Sequence, residues 1–463
     1  MSRSRIIAIA GAGLASTLTA TALAGAGQPG ADGVGDPFFP RAGNGGYEVD
    51  SYDIKLRYRS SGRIRVREVV EATVTTEGSA LSRFNLDFRG PAVKSVKVNG
   101  AAADFERVGP ELRITPASVL ADGAGFKARI VFAGMPRQVT DPDGSKEGWT
   151  NTADGAVAVS EPIGTTSWLA VNDHPTDKAA YSVTLITPKR LVGISNGRLI
   201  KRTTGKRTRT RWQQPDPMAS YLAVVAIGRF NLDRRRMDGI PYVGAADLGL
   251  RSETLTRLYK RTRRAHACME EIAGPYPFAS TGGIVDPSSL GFALEAQTRS
   301  YYPAPPSPGL VVHEISHQWY GNSVAVETWD QIWLNEGFAT YMEWLCEERR
   351  GGRTTKKTFK HLYSTHPEAE TGYWNPPPAA VPGPEKLFAI SVYDRGAMAL
   401  EVLRQTIGDE DFFEVLMRWA TENEGGNVHT DDLLALIADV SGSVPPEFED
   451  WLLDPGKPAK PGP

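Results

Sequence analysis

From Tyr47 to about Phe230 the chain alternates apolar and polar residues in short runs broken by Gly, Pro, Asn and Asp. In Ile54-Lys-Leu-Arg-Tyr-Arg, Val66-Arg-Glu-Val-Val-Glu-Ala-Thr-Val and Tyr181-Ser-Val-Thr-Leu-Ile, every second side chain falls on one face. That is the period of a half-buried strand, and many such runs predict an antiparallel β domain. After about Asp238 the period changes to that of helices. Leu255 to Ala273, Leu310 to Tyr320, Trp333 to Arg350, Tyr393 to Ile407, Asp411 to Asn423 and Thr430 to Val440 all carry it. Gly274-Pro275, Gly351 and Gly408 supply stops, and Asp409 to Asp411 and Thr430 supply starts. The fold class is therefore α+β with more than one domain: an N-terminal β domain over 45–235 and a mainly helical domain over 236–442. Residues 27–44 read as a flexible lead-in. Residues 443–463 read as a Pro/Gly-rich tail, unstructured from Pro455 onward for want of core-forming side chains. Pro303 to Pro308 and Tyr373 to Pro384 read as loops.

Residues 1–26 do not fit this scheme. Arg3 and Arg5 precede an apolar Ala/Gly/Thr-rich run from Ile6 to about Ala24, and small residues follow at Ala22, Ala24 and Ala26. This is the layout of a secretory signal, so the protein is expected to be secreted, with no stable membrane insertion after cleavage. Formal net charge is −2, which argues against nucleic acid as the main partner. The basic stretch from Lys201 to Trp212 alternates Thr and Arg around Gly205, as a solvated hairpin edge does. Cys268 and Cys346 are the two cysteines, and the sequence leaves their pairing open, as it does the oligomeric state.

The chemistry is concentrated in His313-Glu314-Ile315-Ser316-His317 and, further on, Glu336 within Trp333-Leu-Asn-Glu-Gly-Phe-Ala339. One helical turn separates His313 from His317, so both imidazoles can point at one ion. Glu314 falls beside the metal, placed to take a proton from a water. Two neutral imidazoles and one carboxylate leave Zn²⁺ an open fourth position, the arrangement of a catalytic site with one ion per chain. Thr340, one turn beyond Glu336, is placed to orient a ligating His.

At these residues the chain resembles the aminopeptidase N family of zinc metallopeptidases, gluzincins related to leukotriene A4 hydrolase. The resemblance runs from about Tyr47 to Gly442. It rests on His313 to Asn322, Trp333 to Ala339, Gly274-Pro-Tyr-Pro-Phe278, Trp168 to Lys178 and Val392-Tyr-Asp-Arg-Gly-Ala397. It implies a saddle-shaped β domain packed on a thermolysin-like catalytic domain, in a secreted bacterial-type short form. The family's large helical C-terminal domain is expected to be missing, leaving the site more open. It also implies that substrates are peptides with a free N-terminal amine. Glu295, in Gly291-Phe-Ala-Leu-Glu-Ala-Gln297, takes the family's amine-binding position. Glu161, in Val159-Ser-Glu-Pro162, takes that of a second substrate-binding carboxylate, and Tyr393 that of the oxyanion donor. Ala296, Leu294 and Val159 depart from the family's Asn, Met and Gln, so the first-residue preference does not carry over.

The expected function is a secreted zinc aminopeptidase that uses Glu314 as general base and Tyr393 as oxyanion donor. The alternatives are a thermolysin-like endopeptidase, which would also cleave blocked peptides, an epoxide hydrolase, and a secreted binding protein without activity.

Overall fold

The structure, a computed structural model, describes residues 27–460; the expected export signal, 1–26, lies outside them. The β domain is dominated by an eight-stranded sheet. Its central strand, Tyr47–Tyr58, buries Ile54, Leu56 and Tyr58 on one face and turns Asp53, Lys55 and Arg57 to solvent. The alternation in the sequence thus becomes one wet and one dry face. Neighbouring strands in this sheet run antiparallel except Lys178–Pro188, which lies parallel to Tyr47–Tyr58. The basic stretch forms an edge hairpin, Arg198–Thr204 with Arg207–Ala219. A five-stranded and a four-stranded sheet complete the domain.

The lead-in over 27–44 differs from expectation, because it is packed. Asp36 accepts hydrogen bonds from Phe38 N and Phe39 N, and, across the domain junction, from Trp329 N at 2.8 Å. Phe39 is buried edge-on against Trp329, and burying a whole phenylalanine side chain stabilises by roughly 1.5–3 kcal/mol. The domain boundary also shifts. Strand Phe230–Met237 pairs in full register with Ile240–Asp247, and so belongs to a mixed sheet completed by Thr281–Val285 and Ser300–Tyr302. A boundary at 235/236 would cut that strand, so the β domain ends with Val225–Gly228.

The helices are α1 (Thr254–Ala273), α2 (Pro308–Ser316), α3 (Trp333–Arg349), α4 (Thr355–Thr365), α5 (Thr371–Trp374), α6 (Ile390–Ile407), α7 (Asp409–Glu422), α8 (Thr430–Ser441) and α9 (Pro446–Leu453). Ser307 caps α2 by accepting from Leu310 N, with Pro308 at the first helical position, where its missing N–H costs nothing. Cys268 on α1 and Cys346 on α3 form a disulfide with a Cα–Cα distance of 6.0 Å.

Three helices, α4, α5 and α9, lie where the sequence pattern indicates none. The segment after α9, expected to be unstructured, is ordered through residue 460. Arg395 is fully buried and donates to the carbonyls of Trp374, Asp450, Trp451, Asp454 and Gly456. Lys457 Nζ donates to Tyr363 O and His366 O, and Trp451 Nε1 donates to Ala459 O. Backbone acceptors hold this end in place, together with buried Pro458 and the Lys457 ammonium over the rings of Tyr363 and Trp374.

Candidate active site

Helices α2 and α3 pack against each other, and charged residues of both line a cavity that residues of the β domain also line. His313 and Glu314 come from the last turn of α2, and His317 is its C-cap residue. Glu336 opens α3. Its Oε2 lies 3.1 Å from His313 Nε2 and 3.4 Å from His317 Nε2. The three ligand atoms lie within 4.8 Å of one another. Two imidazole nitrogens and one carboxylate oxygen converging in this way fit a zinc ion with an open coordination position.

The other ring nitrogens are committed elsewhere. His313 Nδ1 contacts Glu343 Oε1 at 3.0 Å, and His317 Nδ1 contacts the Tyr320 carbonyl at 3.1 Å. Each contact fixes the tautomer that turns Nε2 to the metal. Thr340 lines the cavity but makes no such bond, so Glu343 takes the orienting position expected of Thr340. Glu343 lies two turns along α3 from Glu336, a spacing visible in the sequence. Gly309 makes room for it: a Cβ there would sit 2.7 Å from Glu343 Oε2.

A cavity of about 480 Å³ opens over these groups, and all seven predicted site residues line it. Glu314 is buried, and burial pushes its carboxyl up to about 8 against the pull of His313 and His317. A divalent cation beside it favours the ionised form. Tyr393, in the first turn of α6, stacks its ring 6.2 Å from that of His313. Burial pushes its phenol well above the usual range, so it stays a proton donor.

Glu295 is 2% exposed, and its Oε1 is buried without a hydrogen-bond partner. Its backbone carbonyl accepts from Gln318 Nε2 and Asn322 Nδ2, both at 2.8 Å. These two residues pin the Glu295 loop to the end of α2, a role the sequence did not reveal. Glu161 comes from the β domain, and its Oε1 is likewise buried and unpaired. Burial, and then the Glu295 carboxylate, push its pKa well up. Two carboxylates in one cavity, each with a buried unpaired oxygen, are costly without a cation, and an ammonium ion bound to both would relieve them. Asp143 and Ser145, on a turn of the β domain, also line the cavity and were not anticipated.

The fold and site together are those of a zinc metallopeptidase built from a β domain and a helical catalytic domain. Residues 293–451 match the peptidase family M1 domain and residues 148–222 match the peptidase M1 N-terminal domain. The chain belongs to peptidase family M1, the aminopeptidase N type of gluzincin, and its metal site is a zinc site. Aminopeptidase M1-B of Oryza sativa subsp. japonica is 26% identical over 316 residues, covering 62% of this chain and 35% of that protein. The tricorn protease-interacting factor F2 of Thermoplasma acidophilum is 25% identical, covering 62% and 39%. The chain thus spans about a third of the length of the curated relatives it matches. The crystal structure of an M1 zinc metallopeptidase from Deinococcus radiodurans superposes with a TM-score of 0.84 at 27% identity, covering 93% of this chain and 99% of that one. A mutant of that protein bound to a Tyr-Ser-Ala substrate superposes with a TM-score of 0.83.

Proposed function

We propose that this protein is an aminopeptidase that removes the N-terminal residue from peptides. The observation that carries the reading is the pair of buried, unpaired carboxylate oxygens of Glu295 and Glu161, opening into the same cavity as the His313, His317 and Glu336 cluster. Charge-assisted hydrogen bonds from a substrate ammonium to both would fix its depth of entry and leave only the first peptide bond at the reacting centre. The peptide bound to the Deinococcus mutant and the names of the curated aminopeptidases support a peptide substrate.

Zn²⁺, held by His313, His317 and Glu336, supplies Lewis acidity and lowers the pKa of water. Glu314 accepts the proton of the attacking water and returns it to the leaving amine. Tyr393 donates to the developing oxyanion, a contribution of about 3–4 kcal/mol for a well-placed donor. Glu343 and the Tyr320 carbonyl hold the two imidazoles in orientation. Export is the second part of the proposal. It rests on the charged start and apolar run within 1–26, and the disulfide between Cys268 and Cys346 suits an oxidising compartment.

Chromogenic aminoacyl amides, each beside its N-acetylated twin and each with and without a chelator, test the activity. Cleavage confined to the free-amine set, lost on chelation and restored by Zn²⁺, supports the reading. Equal cleavage of blocked substrates would point to an endopeptidase and remove the amine-anchoring role of Glu295 and Glu161. N-terminal sequencing of protein recovered from culture medium tests export.

A further inference from the structure

The solvent face of the eight-stranded sheet carries an arrangement of charge that neither the catalytic site nor the stability of the fold requires. On the central strand Tyr47–Tyr58, Lys55 lies directly opposite Arg67 of the neighbouring strand Ile64–Val74, and Arg57 lies directly opposite Arg65. On the edge hairpin, Lys201 lies directly opposite Arg211. Like charges facing each other across strands are destabilising, and an ordinary solvated sheet pairs opposite charges at such positions. Edge protection accounts for Lys201. It does not account for Lys55, Arg57, Arg65 and Arg67, which lie on interior strands.

The register joins these residues into two rows. Arg211 pairs with Thr184, Thr184 with Lys55 and Lys55 with Arg67, so that Lys201, Arg211, Lys55 and Arg67 form one line across the sheet. Two residues along, Arg209 pairs with Ile186, Ile186 with Arg57 and Arg57 with Arg65, forming a second line. Strand spacing of about 4.8 Å and a two-residue rise of about 6.8 Å place these seven cations on a compact grid. All seven are exposed. Among the described residues only Arg67 has an acidic partner, Asp53 at 3.6 Å. Beyond Arg67 the character of the face changes. There Lys127 is paired with Glu71 at 2.7 Å and Asp50 adds a further acid, beside a last like-charged pair, Arg129 opposite Lys97, so the face becomes mixed in charge.

We propose that this stripe is a docking surface for an extended phosphate polymer that is not a nucleic acid. Seven closely spaced cations with one acid among them match a chain of regularly repeated anions. Five of the seven are arginines, whose planar guanidinium fork suits phosphate oxygens. No aromatic side chain lies on the stripe to stack a base, and no helix projects from it to enter a groove, so nucleic acid is the weaker match. Of the large apolar side chains that are exposed, Ile200 borders the rows beside Lys201 and none lies within them, too little apolar surface for insertion into a bilayer. The proposal does not depend on the hydrolytic reading, because none of these residues lines the catalytic cavity.

The test is binding of fluorescently labelled long-chain inorganic polyphosphate to the zinc-loaded protein, with phosphatidylglycerol vesicles and single- and double-stranded DNA as parallel probes. Micromolar or tighter binding is expected at low salt, weakening by about 10³-fold between about 50 mM and about 200 mM salt. The double variant Arg57→Glu, Arg65→Glu should bind at least tenfold more weakly. It should also melt no lower than the parent and turn over amide substrates unchanged. A second variant, Arg57→Gln with Arg65→Gln, separates loss of attraction from introduced repulsion and should weaken binding in the same direction. Parent protein that ignores polyphosphate at low salt, or variants that bind it as well as the parent, would overturn the proposal. Tighter binding of DNA or of vesicles than of polyphosphate would overturn it as well.

Discussion

Gly337 of α3 and Gly396 of α6 face each other so closely that a Cβ on either would lie 3.0–3.1 Å from the Cα of the other. The two helices therefore touch backbone to backbone at the point where α3 carries Glu336 and α6 carries Tyr393. The glycines in Asn335-Glu336-Gly337 and Arg395-Gly396-Ala397 set how near the tyrosine comes to the metal ligands. Gly396→Ala is expected to push the helices apart, at a cost of about 1–3 kcal/mol from overpacking. Zinc content should be retained, while kcat/KM falls at least tenfold as Tyr393 moves away from the reacting carbonyl. Thermal melting, zinc analysis and amide hydrolysis on one preparation measure all three, and unchanged turnover would mean that this approach does not set the tyrosine's position.

Glu343→Ala removes the acceptor that holds His313 Nδ1 at 3.0 Å. Loss of such a partner typically weakens metal binding by about 10–100-fold. Competition with a chromogenic chelator should show that loss, and Glu343→Gln, which keeps a hydrogen-bond acceptor, should recover part of it. Thr340→Ala should leave zinc affinity unchanged, since Thr340 makes no bond to either imidazole.

Much of the site is legible in the sequence because it is local. His313, Glu314 and His317 are fixed relative to one another by a single helical turn. Glu343, two turns beyond Glu336, lies on the same helix face, but Thr340, one turn beyond, is the residue expected from the sequence in its role. The parts that stay hidden are held over long distances by the backbone. Nothing in Gly33-Val-Gly-Asp36 announces that Asp36 will receive the amide of Trp329, and nothing in the Pro/Gly-rich end announces the buried guanidinium of Arg395. Low apolar content suggests disorder only when no partner elsewhere supplies the missing hydrogen bonds. The basic stripe is hidden for a related reason. Lys55 and Arg211 are far apart in the chain, and only strand order places them in one row.

Glu295→Gln keeps the shape of the pocket and removes the charge offered to the substrate amine. For free-amine substrates kcat/KM should fall by about 10²-fold, the scale of a lost buried ion pair of roughly 3 kcal/mol. N-acetylated peptides, which carry no ammonium ion, should not be disfavoured further. A variant that lost activity equally on every substrate would assign Glu295 to the architecture of the site rather than to amine recognition.

Arg395 presents its donors to five carbonyls that lie on α5, α9 and the segment after it. Arg395→Met is close to isosteric in its stem but leaves those acceptors unsatisfied. A loss of about 3–5 kcal/mol is expected, in the range for removing one partner from a buried charged network. Limited proteolysis should then cut first near residue 455, and zinc affinity should change little. Cutting first elsewhere would show that α9 is held mainly by Phe448 and Trp451.

Glu68 is buried in the β domain with Ala170 N donating to Oε2 at 3.0 Å and nothing partnering Oε1. Burial pushes its carboxyl from 4.5 up to about 8. The folded state therefore holds this proton more tightly than the unfolded chain does. The stabilisation is fully present below about pH 4.5 and is lost as pH rises through about 8. Asp286, also raised to about 8 by burial, acts in the same direction. The denaturant midpoint should accordingly fall between about pH 5.5 and about pH 8. Glu68→Gln, neutral at every pH, should flatten that slope and stabilise the protein by about 1–3 kcal/mol at the upper end. Denaturant titrations of parent and variant at the two pH values decide the point. Parallel pH dependence in both would mean that Glu68 stays ionised in the fold, with an unseen donor on Oε1.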